Sequence, residues 1–577
     1  MNSENRDLSP FKNVFEQPIS RQIWRDKYQF HIGKRPVDHT VQDTWHRVAE
    51  ALAAAEMPSE HAHWSSQFYA AMDDFKLIPA GRILAGCGTG RDVTLCNTFV
   101  MQTIPDSLAG IMDTAKDAAL TMKMGGGLGF DFSTLRPKGA RVHGIGCDAA
   151  GPLPAMDICD AVCKMVVSGM GRGAMMATLR CDHPDIEAFV MAKSDPTRMR
   201  NFNLSVLITD SFMDAVRDDG PWNLTWQGET RQTICARDLW AKIMQQTYAA
   251  AEPGVLFIDR INDANALNYS ETIAATNSCA EQPLPPYGAC PLASINLARL
   301  VQSPFMSSAN LDLEDIAHLA SVAVRMLDNV VNVTRYPLDA QKREAQSKRR
   351  IGLGITGVAD ALVMLGIKYG SVQAKHLLDT WMQTIQNAGY LASAKLAQER
   401  GCFPAYNGAA HMKNLNIRKL APHVQKEIKT HGLRNGLITT IAPTGTTSLF
   451  AGNVSSGIEP IFSATFHRKI SLPDGNVETE RVVDYAVGVY RQIYGDHVPL
   501  PDAFVTVRDL TPDDHISMQS VAQRWVDSGI SKTVNCPEDI SFTDFESIYL
   551  KAYATGCKGC TTFRPNPVTG SILSDEE

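Results

Sequence analysis

Asn277, Cys279 and Glu281 alternate along one short stretch, Asn277-Ser278-Cys279-Ala280-Glu281. In extended backbone, residues two apart point to the same face, so an amide, a thiol and a carboxylate would meet one substrate. A turn signal, Pro283-Leu284-Pro285-Pro286-Tyr287-Gly288, follows at once. A second thiol, Cys290, then stands in Ala289-Cys290-Pro291-Leu292-Ala293-Ser294-Ile295-Asn296-Leu297. Spacing alone also fits a loop with incidental buried cysteines. A cysteine hydrolase is a further reading, but it needs a histidine to make thiolate, and no His is close in sequence.

Other stretches carry chemistry of a different kind. Pro443-Thr444-Gly445-Thr446-Thr447-Ser448 follows a β-like run and precedes a helix start. A glycine-permitted nest of amides and hydroxyls there could hold an anion, or Ser and Thr could simply cap the helix. The Lys of a P-loop is missing, so ATP hydrolysis is not implied. The glycines of 125–129 precede Phe130-Asp131-Phe132 and read either as a helix cap and turn or as a close approach to a ligand. Cys557-Lys558-Gly559-Cys560 has a redox or half-zinc spacing. No second pair follows, so no metal site is expected and a structural role is favoured.

These residues need a scaffold. Residues 1–80 read as a helical opening, with amphipathic stretches at 43–57 and 60–75 broken by Pro79-Ala80-Gly81. Beyond it, β-like runs at 95–102, 202–209, 255–259 and 436–442 alternate with helical patterns at 107–124, 152–167, 237–251 and 313–333. That alternation implies an α/β body with partly parallel strands. Residues 571–577 read as a frayed acidic tail. The net charge of −7 on 577 residues disfavours a nucleic-acid binder. No apolar run approaches the roughly 20 residues needed to span a bilayer, and the polar N-terminus lacks a signal-peptide pattern. A cytoplasmic enzyme is expected. Its thirteen cysteines are then not a disulfide framework.

Asn-x-Cys-x-Glu followed by Cys-Pro-Leu-Ala-Ser-Ile-Asn-Leu resembles the active-site signature of ribonucleotide reductase large subunits. Further segments agree in order: 78–86, 125–137 (GGGLGFDFSTLRP), 169–176, 193–203, 442–462 (APTGTTSLFAGNVSSGIEPIF) and 556–566 (GCKGCTTFRPN). The resemblance covers about residues 20–566. It implies a ten-stranded α/β barrel over 81–566 with a central finger loop, preceded by the helical region 1–80 and followed by a tail, 567–577. It implies that Cys279 becomes a thiyl radical and abstracts the ribose 3′-hydrogen. Glu281 would act as general base and Asn277 would bind the substrate hydroxyls. Cys290 would be one member of the reducing dithiol. The other member stands in relatives where this chain has Thr98. Cys96, two residues earlier on the same strand face and displaced by roughly 6–7 Å, is the favoured partner, with Cys87 and Cys181 as fallbacks. Substrate contacts are expected from Gly81, Asn97, Thr98, Gly127 and Pro443 to Thr447, and effector-loop roles from Arg172, Lys193, Arg198 and Arg200.

The family's radical generators differ by class. Thr561-Thr562 stands where oxygen-dependent members carry two tyrosines, and no glycyl-radical segment is present. Adenosylcobalamin is therefore the expected cofactor, and the DICDAVC stretch at 157–163 looks most like cobalamin-dependent members. The alternatives are an oxygen-dependent subunit needing a radical-generating partner, and a nucleotide-binding paralogue without reductase activity. The family further implies a dNTP effector, a homodimer and a thioredoxin-like reductant. A separate ATP-binding cone and a C-terminal Cys pair are not expected.

Overall fold

A computed structural model describes residues 15–142, 146–166, 173–195, 197–471, 477–566 and 574–575. Helix Val41–Ala53 starts two residues before the expected stretch, because Thr40 and Asp43 form a reciprocal capping box. Its Val41, Trp45, Val48 and Leu52 recur every three or four residues and are buried. They share one apolar core with His61–Met72, Leu313–Val333 and Val372–Arg400.

The α/β body is built on two groups of strands. Thr98–Val100, Gly127–Asp131, Met175–Arg180, Phe202–Ile208 and Gly254–Phe257 lie side by side and parallel. Helices such as Leu108–Lys123, Pro152–Met165 and Ala236–Ala250 cover them in a second core. At one side Gly254–Phe257 meets Gly559–Phe563 antiparallel, and that strand runs parallel to Thr533–Asn535. At the other side Thr98–Val100 takes Ala289–Cys290 antiparallel, with Cys290 opposite Thr98. The chain continues directly into Leu292–Asn296, which pairs with Gly352–Thr356 and Leu77–Pro79. Parallel bridges Leu353↔Thr439 and Ile441↔Ile530 extend that group.

The strand expected at 436–442 is thus reduced to bridges. The Asp527 carboxylate accepts from the amides of Ile438 and Thr439, donors that a ladder would otherwise use. The run expected at 255–259 ends at Phe257, where helix Ile258–Ala264 begins. The glycine cluster begins as the expected helix cap and turn, with Gly125 at φ 102° after helix Leu108–Lys123, and becomes a strand from Gly127 onward. At Gly129 an added Cβ would stand 1.8 Å from the Thr276 carbonyl oxygen, so only glycine admits the neighbouring chain there. Ser574–Asp575 pairs with Phe466 and His467, so this part of the expected frayed tail is a strand. No described helix is long and apolar enough to cross a membrane.

Candidate active site

Ala275–Thr276 pairs antiparallel with Pro283–Leu284, and residues 277–282 form the tip between them. The tip is a closed turn, not the extended segment expected. The Asn277 amide donates to the Gln282 carbonyl at 3.2 Å, and the Gln282 amide donates to Asn277 Oδ1 at 2.9 Å. Ala280 takes φ 64° to complete the turn. Alternation therefore does not explain why Asn277, Cys279 and Glu281 meet. Curling the chain brings all three to one cavity of about 720 Å³.

Both strand groups grip this finger. From one side Thr178 Oγ1 donates to the Ala274 carbonyl at 2.8 Å, and Asn203 Nδ2 donates to the Ser278 carbonyl at 2.7 Å. From the other, Thr440 Oγ1 and the Gly529 amide both donate to the Glu281 carbonyl, at 2.7 and 2.9 Å. Cys279 also borders a second cavity of about 390 Å³. Cys279 keeps an exposed side chain, and it lines both cavities.

Desolvation by the surrounding protein sets the chemistry of the tip. Burial, then the neighbouring Glu281, pushes the Cys279 thiol up to about 12. At neutral pH it is S–H, a donor of a hydrogen atom and a poor thiolate nucleophile. Glu281 is buried, and its Oε2 has no hydrogen-bond partner among the described residues. Burial raises its carboxyl to about 7, with the Asn277 side chain partly offsetting. A base poised near neutrality suits general-base work.

Cys290 is fully buried, and Thr98 occupies the place across the ladder, its hydroxyl donating to the Cys290 carbonyl at 3.0 Å. Burial, and next the nearby Cys96, raise the Cys290 thiol well above its ordinary value. Tyr336 is close enough to feel both sulfurs. Cys87 instead neighbours Arg47, and Cys181 neighbours Thr209. All thirteen cysteines are free thiols here.

Residues 96–563 match the family model described as "Ribonucleotide reductase, barrel domain", and residues 14–92 match "Ribonucleotide reductase, all-alpha domain". The chain belongs to the ribonucleotide reductase large-subunit family. A relative named vitamin B12-dependent ribonucleoside-diphosphate reductase, from Mycobacterium tuberculosis (strain CDC 1551 / Oshkosh), is 36% identical over 96% of this chain and 80% of its own. One of the same name from Thermoplasma acidophilum is 34% identical over 89% of this chain and 66% of its own.

In this reductase, Gly81, Asn97, Thr98 and Pro443 to Thr447 line the larger cavity with the finger tip. Gly127 sits just behind it, where an added Cβ would come within 3.4 Å of Ser278 Oγ. Thr444 adopts φ 54°, and its hydroxyl accepts from the Gly457 amide at 2.9 Å. Helix Gly445–Phe450 follows. Of the effector-loop residues, Arg172 lies outside the described residues. Arg198 makes a two-pronged ion pair with Asp157, at 3.1 and 2.6 Å. Lys193 bonds Glu252 Oε1 at 2.8 Å, and Arg200 is exposed.

Sequence reasoning missed the wall of the second cavity. Gln519, Lys532, Lys558, Cys560 and Thr561 line it. The buried Lys532 Nζ donates to Glu459 Oε2 at 2.5 Å and to His515 Nδ1 at 2.7 Å. Lys558 donates to the Asp527 and Ser528 carbonyls, and burial lowers it to about 7. Gln519 is buried; its Nε2 donates to the Gly559 carbonyl, leaving Oε1 without a partner among the described residues. Lys558 and Cys560 belong to the Cys-x-x-Cys segment; nothing in the sequence marked Gln519 or Lys532.

Proposed function

We propose that this chain reduces ribonucleoside diphosphates to 2′-deoxyribonucleoside diphosphates by thiyl-radical chemistry that depends on adenosylcobalamin. One observation carries the reading. Cys279 is a protonated thiol on a tip between two cavities, with Glu281 poised near neutrality on the side of the larger one. A hydrolase would need a thiolate; hydrogen-atom transfer needs the S–H that burial enforces.

The larger cavity takes the ribonucleotide. The Cys279 sulfur, as a radical, takes the ribose 3′-hydrogen while Glu281 accepts the 3′-hydroxyl proton and Asn277 orients the hydroxyls. The 2′-hydroxyl leaves as water, its proton supplied by one thiol of the reducing pair. Cys290 and Cys96 give up two electrons and two protons and close a disulfide, and Cys279 returns the hydrogen to C3′. Cys96 is favoured as the partner because its thiol is near enough to raise that of Cys290.

Cys279 would give up its hydrogen to a carbon-centred radical, the chemistry that adenosylcobalamin would supply when bound. The second cavity fits that role in place and chemistry. It borders Cys279 as the larger cavity does, and its volume suits the nucleoside part of such a cofactor. Gln519 Oε1 and the Ser531 to Thr533 segment offer polar contacts there.

The names of the relatives support diphosphate substrates and the cobalamin requirement. The five parallel strands, joined antiparallel at both sides to strands of the second group, support a ten-stranded barrel over 81–566, with 1–80 as a helical region and 567–577 as a tail. The family reading further carries a dNTP effector at 169–176 and 193–203, a homodimer and a thioredoxin-like reductant.

The test is to incubate the pure chain with CDP, adenosylcobalamin and dithiothreitol under argon. dCDP is expected without a second protein, and Cys279→Ser should abolish it while still binding CDP. Absence of both turnover and carbon–cobalt cleavage would overturn the cobalamin reading.

A further inference from the structure

Among the buried arginines, Arg299 meets Glu16, Arg325 meets Glu56, Arg349 meets Asp328 and Arg350 meets Glu271. A buried guanidinium without an anion carries a desolvation cost that proteins normally offset by pairing. Arg82, a half-buried residue, has no such partner. Its Nη1 is buried with no hydrogen-bond partner, and no carboxylate pairs with it among the described residues. The guanidinium packs against the Gly125 backbone. Only the missing side chain of Gly125 leaves room for it, since a Cβ there would stand 2.8 Å from Arg82 Cζ and 2.9 Å from Nη1. Arg82 lines the larger cavity.

Its position ties it to one end of that cavity. An added Cβ on the adjacent Gly81 would lie 3.3 Å from Tyr28 Oη. The Tyr28 ring packs edge-on against Phe450 at 4.9 Å. Phe450 ends helix Gly445–Phe450, whose N-cap is Thr444 and whose first turn holds Thr446 and Thr447. Tyr28 therefore wedges between the turn that carries Arg82 and the anion-binding loop. The same cavity is also lined by Arg25, Lys27 and Arg91, against the acids Asp26 and Glu281.

We propose that Arg82 is a substrate-binding residue whose guanidinium pairs with the phosphate groups of the ribonucleotide, beside the loop amides at 443–447. The inference rests on reading the larger cavity as the ribonucleotide site. A planar fork facing phosphate oxygens gives two parallel, charge-assisted hydrogen bonds. The substrate thus supplies the anion that the protein withholds.

Calorimetric titration of CDP and of cytidine into the wild type, Arg82→Met and Arg82→Lys, at low and high salt, tests this. Arg82→Met should weaken CDP by about tenfold or more, flatten the salt dependence of its Kd and leave cytidine binding unchanged. Unchanged cytidine binding also reports an intact site. Arg82→Lys keeps the charge without the fork, so it should keep the salt dependence and lose part of the affinity. Equal weakening of CDP and cytidine, or no change for CDP, overturns the assignment. A wild type that fails to bind CDP at all sinks the substrate reading itself.

Discussion

Glu281 works through its protonation. A carboxyl raised to about 7 by burial is protonated below that pH and cannot accept the 3′-hydroxyl proton. The kcat/KM for CDP is therefore expected to fall about tenfold per pH unit on the acid side of pH ~7. Glu281→Gln should remove that limb along with most of the activity. A flat profile between pH 6 and 8 in the wild type would count against the base assignment. The thiol pair makes a separate prediction. Single turnover without external reductant should leave a Cys96–Cys290 disulfide, detectable by peptide mapping. A bridge from Cys290 to any other cysteine would reassign the partner. Thr98 cannot supply it, since the residue directly across the ladder carries a hydroxyl.

The finger is short, and its placement comes from the elements that hold it. Gly129 lets the Thr276 carbonyl lie against the strand, at a distance no side chain tolerates. Gly129→Ala should push the tip out of register, lowering Tm and abolishing turnover. A fully active Gly129→Ala enzyme would refute the tight seating. Asn203, at the foot of the proposed effector segment, donates to the Ser278 carbonyl next to Cys279. Helix Pro152–Met165 holds the same segment through Asp157 to Arg198 and Asp160 to Asn201. Asn203→Ala removes one hydrogen bond, an expected cost of about 1 kcal/mol, and should weaken the response of CDP reduction to added dNTP more than basal turnover. The opposite pattern would argue against coupling through this bond.

At the scale of the whole molecule, the N-terminal helices are locked to the barrel-side helices through one buried carboxylate. Glu56 accepts from Arg325, Asn329 and Arg400. Burial alone would raise its pKa, but these donors pull it down to about 2. The folded value lies below the ordinary 4.5. The interaction therefore stabilises fully above pH ~4.5 and is lost as pH falls towards 2. Glu56→Ala removes one of two carboxylates from each arginine, since Arg325 keeps Glu399 and Arg400 keeps Asp328, and should cost about 1–3 kcal/mol, read as a drop in Tm at neutral pH. The gap between wild type and variant should narrow in acid; a constant gap from pH 7 to 3 would contradict the linkage.

The sequence by itself determined which chemistry was available and in what order along the chain. The thiol, acid and amide of 277–281, the hydroxyl-rich loop at 443–447 and the alternation of strand and helix patterns are local. Residue type and periodicity report local features directly. Tertiary structure decided how those groups meet. The tip is a turn because Ala280 takes a left-handed conformation and Asn277 folds its side chain back, which no two-residue period could reveal. Gly127 to Asp131 is a strand because it pairs with Thr98–Val100 and Met175–Arg180, distant in sequence. The roles suggested for Arg82 and Gln519 come from polar atoms left unpaired in the fold, and pairing is a property of neighbours hundreds of residues apart. Cys279 itself looked like any cysteine in a loop. Desolvation between two cavities keeps its hydrogen on the sulfur, and only the folded chain supplies those surroundings.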